Sequence, residues 1–200
     1  MIQRSHYLEI ANKCGHFASW AIWANEGKTP KSNIGDLKIF DLDLNPNILV
    51  QINPNIIMVG LNISRKIENT FGNFHDSKPQ SQDYKIRYAF KNTGLYGAYM
   101  TDIIKDFEQI ISGTVHSFLK LNRDFEEHNV AIFEQELLDL NPTNPILIAF
   151  GSISYNILLR NFKTKYQIIK IPHYSMRIGK ENYRSEVEKI IRQTEIVNAK

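Results

Sequence analysis

The chain has almost no cysteine: Cys14 is the single thiol in 200 residues. One thiol excludes an internal disulfide, a four-cysteine zinc site and an iron–sulfur cluster, which usually takes four thiolates. Such sparing use fits a reducing compartment, and a cytoplasmic location is expected. Long apolar runs are also missing. None approaches the length of about 20 residues that spans a bilayer, and the opening Met1-Ile2-Gln3-Arg4-Ser5-His6 lacks the apolar stretch of a secretory signal. No repeat or low-complexity tract is present. His75 and Asp76 have no second histidine at ligand spacing, so neither a metal nor a cofactor is expected. Cys14 reads as a small apolar residue.

With 42% hydrophobic and 22% charged residues, the sequence describes one ordinary globular domain over residues 1–200. A chain of this size buries roughly 70% of its unfolded surface, so no staple is needed, and a monomer without a membrane partner is expected. Charge is uneven. Residues 160–200 carry ten Lys or Arg against four Glu, a net of +6, while residues 1–159 carry fourteen against seventeen acids, a net of −3. Such a basic tail suits phosphates. A solvated helix with Lys180, Arg184 and Lys189 partly paired to Glu181, Glu186 and Glu188 explains it more simply.

Helical spacing over 5–25 (Leu8, Ala11, Cys14, Phe17, Ala18, Ala21, Ile22) predicts a long first helix ended by Gly27 and Pro30. Trp20 and Trp23 lie on its core stripe. Residues 27–54 read as loop with one apolar stretch at Leu37–Phe40, so 1–54 is expected to be a helix-and-loop extension of a core over 55–200. Four apolar runs follow: Ile56–Val59, Tyr99–Ile104, Ile146–Phe150 and Tyr166–Ile171. Helical segments are predicted at 83–92, 125–139, 152–162 (with Ser152 as cap) and 179–197. This alternation predicts an α/β fold, a four-stranded parallel sheet sandwiched by helices, with any site along the strands' carboxyl ends.

Those ends carry Gly60-Leu61-Asn62-Ile63-Ser64, then Thr101-Asp102 with Lys105-Asp106, then Pro172-His173-Tyr174-Ser175-Met176-Arg177; Phe71-Gly72-Asn73-Phe74-His75-Asp76 lies between the first two. In this order they resemble the uracil-DNA glycosylase superfamily, nearest its mismatch-specific, cluster-free branch. Gly60–Ser64 looks like its first motif, Gly-x-Asn-Pro-Ser or -Gly. His173-Tyr174-Ser175 looks like the second, His-Pro-Ser, and Tyr99–Lys105 is similar to the intervening strand, Tyr-Ile-Thr-Asn-Val-Val-Lys. The likeness covers about residues 55–195. It departs at Ile63 and Tyr174, where the family has prolines, and at Asp102, where it usually has asparagine.

The resemblance implies a three-layer α/β/α fold and an enzyme that flips a damaged, mismatched or modified base out of duplex or single-stranded DNA and hydrolyses its N-glycosidic bond. Asn62 and His173 would be catalytic, Asn62 positioning water and His173 donating to the departing base. Phe71 or Phe74 would stack on the base, Gly60 and Leu61 would line its pocket, and Asp102 would read its edge. An ionised aspartate only accepts, which favours an exocyclic amine, as on a cytosine derivative, over the carbonyl of uracil. Ser64, Ser175 and Lys180 would touch phosphates, and Met176 with Arg177 would wedge into the duplex. Two alternatives remain open: an inactive base- or nucleic-acid-binding module of this fold, and an α/β enzyme acting on free nucleotides. Residue by residue, Asn62 is equally at home in a turn, His75 and Asp76 in loop hydrogen bonds, and Asp102 in a bond to a helix N-terminus.

Overall fold

Four strands of the sheet are parallel; the three inner ones are largely buried because helices cover both of their faces, while the edge strand leaves Gln167 and Lys170 exposed. The computed structural model describes residues 2–193. Strand β2 (Asn53–Asn62) lies at the centre, β3 (Ala98–Ile104) on one side, and β4 (Ile146–Phe150) then β5 (Gln167–Ile171) on the other. A fifth strand, β1 (Ser19–Trp20), pairs antiparallel with β3, placing Ser19 opposite Met100 and Trp20 opposite Tyr99. The sheet is therefore mixed and five-stranded, not four-stranded and parallel.

This fifth strand corrects the expected long helix. Helix α1 covers only Arg4–Cys14 and closes at Gly15. A Cβ at residue 15 would lie 2.4 Å from the Ala11 carbonyl oxygen and 2.5 Å from Thr70 Cγ2, so the chain turns there on a glycine. From Ala18 to Trp23 every side chain except that of Ser19 is apolar and every one is buried. Period alone does not distinguish such a run from a buried helix. The first 54 residues are thus built into the domain, with the one-turn 3₁₀ helix Leu37–Phe40 and the short α2 (Ile48–Gln51) leading to β2.

Side-chain alternation splits the core into two layers. Ile57, Val59, Tyr99, Ile103, Leu147 and Ala149 pack against α1, α4 (Ser112–Leu121), α5 (Arg123–Leu140) and α6 (Ser152–Phe162). Ile56, Met58, Met100, Ile148, Phe150, Ile169 and Ile171 pack against α3 (Asp83–Phe90) and α7 (Lys180–Gln193). α4 was not anticipated. Gly151 (φ 83°), not Ser152, occupies the cap position of α6, and Ser154 Oγ donates to the Phe150 carbonyl. On α7, Tyr183, Val187 and Ile191 face inward as expected, and residues 194–197 of the predicted helix lie outside the described residues. Arg184 and Arg192 both pair with Glu188, which favours the solvated-helix explanation of the basic tail. Among the described residues no helix is long and apolar enough to cross a membrane.

Gly97 lets β3 begin. It sits at φ 86°, and a Cβ there would lie 1.8 Å from the Gln51 carbonyl oxygen. Gly97→Ala adds left-handed strain to an overpacked contact and is expected to cost about 2–5 kcal/mol, read from urea unfolding. A loss below half a kcal/mol would contradict this account.

Candidate active site

Residue parity and chain direction place the cleft. Met58, Gly60 and Asn62 alternate onto one face of the sheet, with Asp102 after Met100 and Phe150 after Ile148. The chain leaves β2 for α3 on that face, whereas it leaves β4 for α6 on the other. Their loops part above the β2–β4 boundary, which is where an open α/β sheet forms a crevice. A cleft of about 670 Å³ opens there, lined by Gly60, Leu61, Asn62, Asp102, His173 and Ser175 among others. The three polar groups expected to converge do so. Asn62 and His173 leave strands that stand two spacings apart, roughly 10 Å.

Asn62 ends β2 with its amide orientation fixed. Nδ2 donates to the Phe107 carbonyl at 2.9 Å and the Gln109 carbonyl at 2.8 Å, both in the loop after β3. Three carbonyl acceptors, that of Ile63 at 3.2 Å included, identify the nitrogen, which leaves Oδ1 as an acceptor with no partner among the described residues. The residue after it needs no proline. Ile63 is buried, and its N–H donates to the Ile104 carbonyl at 3.3 Å, prolonging the ladder into the loop.

Asp102 forms part of the floor. Its carboxyl group lies directly over Gly60, where a Cβ would meet Oδ1 at 2.1 Å. Oδ2 accepts from Asn73 Nδ2 at 2.8 Å, so the partner is a side-chain amide and not a helix N-terminus. Asn73 also donates to the Phe17 carbonyl, and its Oδ1 accepts from the Phe74 N–H. Burial pushes the Asp102 carboxyl up to about 6, against the Asn73 hydrogen bond and the more distant charge of Lys105. Asp83, in the first turn of α3, lines the same cleft. Burial raises it to about 6 as well, although it accepts from the Asp76 N–H at 2.8 Å.

His173 is held neutral in one tautomer. Nδ1 receives the Ser175 backbone N–H at 3.1 Å and lies 2.8 Å from Ser175 Oγ. An N–H can only donate, so Nδ1 is unprotonated and the proton sits on Nε2. Burial lowers the imidazole to about 4. Tyr174, standing where the resembled motif has proline, stacks on the His173 ring at 4.4 Å and 21°. Its ring also meets Phe150 edge-on at 5.3 Å.

The two candidate stacking residues separate. Phe74 lines the cleft beside Phe150 (5.8 Å) and Tyr174 (6.2 Å). Phe71 does not; its ring is 2% exposed and packs with Tyr7, Trp20 and Phe40 in the other core layer. Both have φ near 60°, a left-handed conformation costly for a bulky residue. The loop is clamped in compensation. Trp23 Nε1 donates to the Phe74 carbonyl, Ser19 Oγ donates to the Phe71 carbonyl, and buried His75 spans Ile22 and Asn73. Asp76 pairs with Arg65 at 2.9 Å. His75 and Asp76 are thus loop anchors.

Of the expected phosphate and wedge residues, Ser64 and Ser175 line the cleft. Exposed Met176 and Arg177 stand on the adjoining loop, which Lys85 of α3 ties down by donating to the Met176 carbonyl at 2.8 Å. Lys180 instead lies over the Tyr88 ring at 4.2 Å, and Ser175 is engaged with His173. Sequence reading missed Asn73, Asp83, Lys85 and Phe150. A larger hollow of about 960 Å³ lies at the opposite, amino-terminal ends of the strands, near Asn53 and Asn55. Its buried cation, Arg87, is engaged with the Ala24 and Pro30 carbonyls, and none of the motif residues reaches it. Among the described residues no cluster of three or more His, Cys, Asp or Glu could hold a metal ion.

The perturbed groups act oppositely on stability. Lowered His173 contributes stability above its unfolded value of 6.5, lost as pH falls through about 4. Raised Asp102 contributes stability below its unfolded value of 3.8, lost as pH rises through about 6. Asp102→Asn removes the second effect. Its stability relative to wild type should therefore rise by about 3 kcal/mol between acid and neutral pH, measured by urea unfolding across that range. A difference constant with pH would show that Asp102 titrates normally. No protein-family model matches the chain, and no curated protein matches it, so the reading of this cleft rests on its geometry and motif order.

Proposed function

We propose that the chain is a DNA glycosylase-like hydrolase, of the uracil-DNA glycosylase type, that takes an extruded base into this cleft and breaks its N-glycosidic bond. The observation that carries the reading is the pairing of a free carbonyl acceptor on Asn62 with an Nε2–H donor on neutral His173, from strands two apart above one crevice. The order of the three motifs along the chain supports the same reading.

The chemistry follows from those two atoms. As the C1′–N bond lengthens, its electron pair moves onto the base and positive charge gathers on the sugar. His173 Nε2–H donates to a base carbonyl where the negative charge grows. Because the imidazole is neutral, it stabilises that charge without surrendering a proton first. Asn62 Oδ1 accepts from a water and aims its oxygen at C1′. An amide is too weak a base to take the water's proton early, which suits a reaction whose cation forms before attack. Once the new C–O bond has formed, the water's second proton passes through solvent to the base anion, so that the abasic sugar and the free base both leave neutral. Phe74 supplies an aromatic face for the base, worth about 1–3 kcal/mol in stacking. Ionised Asp102 accepts from an exocyclic amine, which favours a cytosine derivative over uracil. Met176 and Arg177 stand where a wedge could fill the gap in a duplex, and Ser64 is placed to meet a phosphate.

The departures from the resembled motifs are offset locally. Ile63 is fixed by a ladder hydrogen bond and Tyr174 by stacking, so each loop is stiffened without its proline.

The experiment is incubation with oligonucleotides that each carry one modified base, scored by mass spectrometry for base loss and by alkali cleavage for abasic sites. Base loss is expected from at least one. His173→Ala should lower its rate by about 10²–10³-fold, the usual cost of a donor to developing negative charge, and Asn62→Ala should abolish it. Release that survives both substitutions, or no release from any base in either single-stranded or duplex DNA, would remove the proposal.

Gly60→Ala gives a second check. The new Cβ collides with the Asp102 carboxyl, a side chain with some freedom to move. The variant should keep its fold by circular dichroism and lose at least about tenfold in activity through a misplaced floor. Wild-type activity would show that Asp102 need not lie there.

A further inference from the structure

We infer that Asp102 selects the base through its own proton: the ionised carboxylate takes a pyrimidine bearing an amino group at C4, and the protonated carboxyl takes one bearing a carbonyl there. This assignment rests on the glycosylase reading for its substrate class, but its test is a binding measurement that needs no catalysis.

The hydrogen bonds around Asp102 leave one atom to do the choosing. Oδ2 is occupied by Asn73 Nδ2. Asn73 cannot itself address a base, because Nδ2 is shared between Asp102 and the Phe17 carbonyl and Oδ1 is taken by the Phe74 N–H. Asn73 is therefore a positioning residue, and Asp102 Oδ1, above the bare Cα of Gly60 on the cleft floor, is the atom left to meet a ligand. A carboxylate oxygen there only accepts, whereas a protonated one donates.

The surroundings let that proton come and go. Among the described residues no cation pairs with the carboxyl group. Lys105, just past the end of the same strand, directs its ammonium to Thr101 Oγ1, to the Asp102 backbone carbonyl and to Glu136 of α5. The other titratable groups felt at the site are Glu136, Asp83 at the start of α3, and Tyr174 in the loop after β5. Both carboxylates oppose ionisation of Asp102. Only the Asn73 hydrogen bond and the indirect charge of Lys105 favour it. The outcome of this balance, about 6, lies close enough to neutrality for both forms to be populated under ordinary conditions.

Free cytosine and free uracil are titrated against the whole protein by calorimetry, from about pH 5.5 to about pH 8. The ratio of their dissociation constants should shift by about tenfold per pH unit, cytosine gaining as pH rises. Groups that meet both bases alike, His173 included, cancel from the ratio. Asp102→Asn carries no titrating proton, its oxygen being held by Asn73 Nδ2 and its NH₂ left to face the ligand, so its ratio should be flat. Asn73→Ala should weaken both bases while keeping the wild-type slope. A wild-type ratio independent of pH, a slope retained in Asp102→Asn, or no binding of either base overturns the inference. Base release judges the glycosylase reading separately: a protein with the sloping ratio and no release keeps this inference and loses that reading.

Discussion

A buried carboxyl group with no ion-pair partner among the described residues constrains everything around the cleft. Asp102 projects from the middle of a strand whose seven residues are all buried, and such a group is tolerated only where its neighbours are made for it. The strand beside it needs a residue without Cβ, which is Gly60. The loop above it needs a neutral donor, which is Asn73. To bring that amide down, the loop passes through left-handed backbone at both Phe71 and Phe74. These features are several answers to one problem, and the problem exists only because a polar group is wanted on that floor.

Strain in the loop is met from the segment that looks least like part of the core. Ser19, Ile22 and Trp23 all bond to residues 71–75, and His75 stacks against Trp23 at 5.2 Å. The antiparallel edge strand thus does more than finish the sheet. It holds the wall from which Phe74 faces the cleft, and a domain cut at residue 54 would lose that wall.

The sheet was legible because buried parallel strands read as apolar runs, continuous at Ile56–Val59 and Ile146–Phe150 and interrupted by polar residues in the other two, and all four runs fall on strands. The site was legible where it sits at strand ends, since Asn62, Asp102 and His173 are placed by the ladder itself. Elsewhere local pattern fell short. Ala18–Trp23 is apolar at every spacing apart from Ser19, so helix and strand fit it equally. The start of α4, Ser-Gly-Thr-Val-His, has little helical signature of its own, and packing of Val115 and Leu119 sustains it. Phe71 and Phe74 are the same residue type three apart and both are buried, and only the path of the loop sends one into the layer packed with Tyr7 and Phe40 and the other into the layer that borders the cleft. Asn73 and Asp83 act through atoms brought close by folding, which no spacing reveals.

The amide hydrogen of Ile63 decides which residues position 63 can hold. That hydrogen prolongs the pairing of the two central strands by one rung, to the Ile104 carbonyl. A pyrrolidine nitrogen carries no hydrogen, so a chain stiffened in this way and a chain stiffened by a ring occupy separate solutions. Every residue other than proline supplies that hydrogen, so what position 63 asks for is the rung and not the isoleucine side chain, and a proline there would leave the Ile104 carbonyl without its donor.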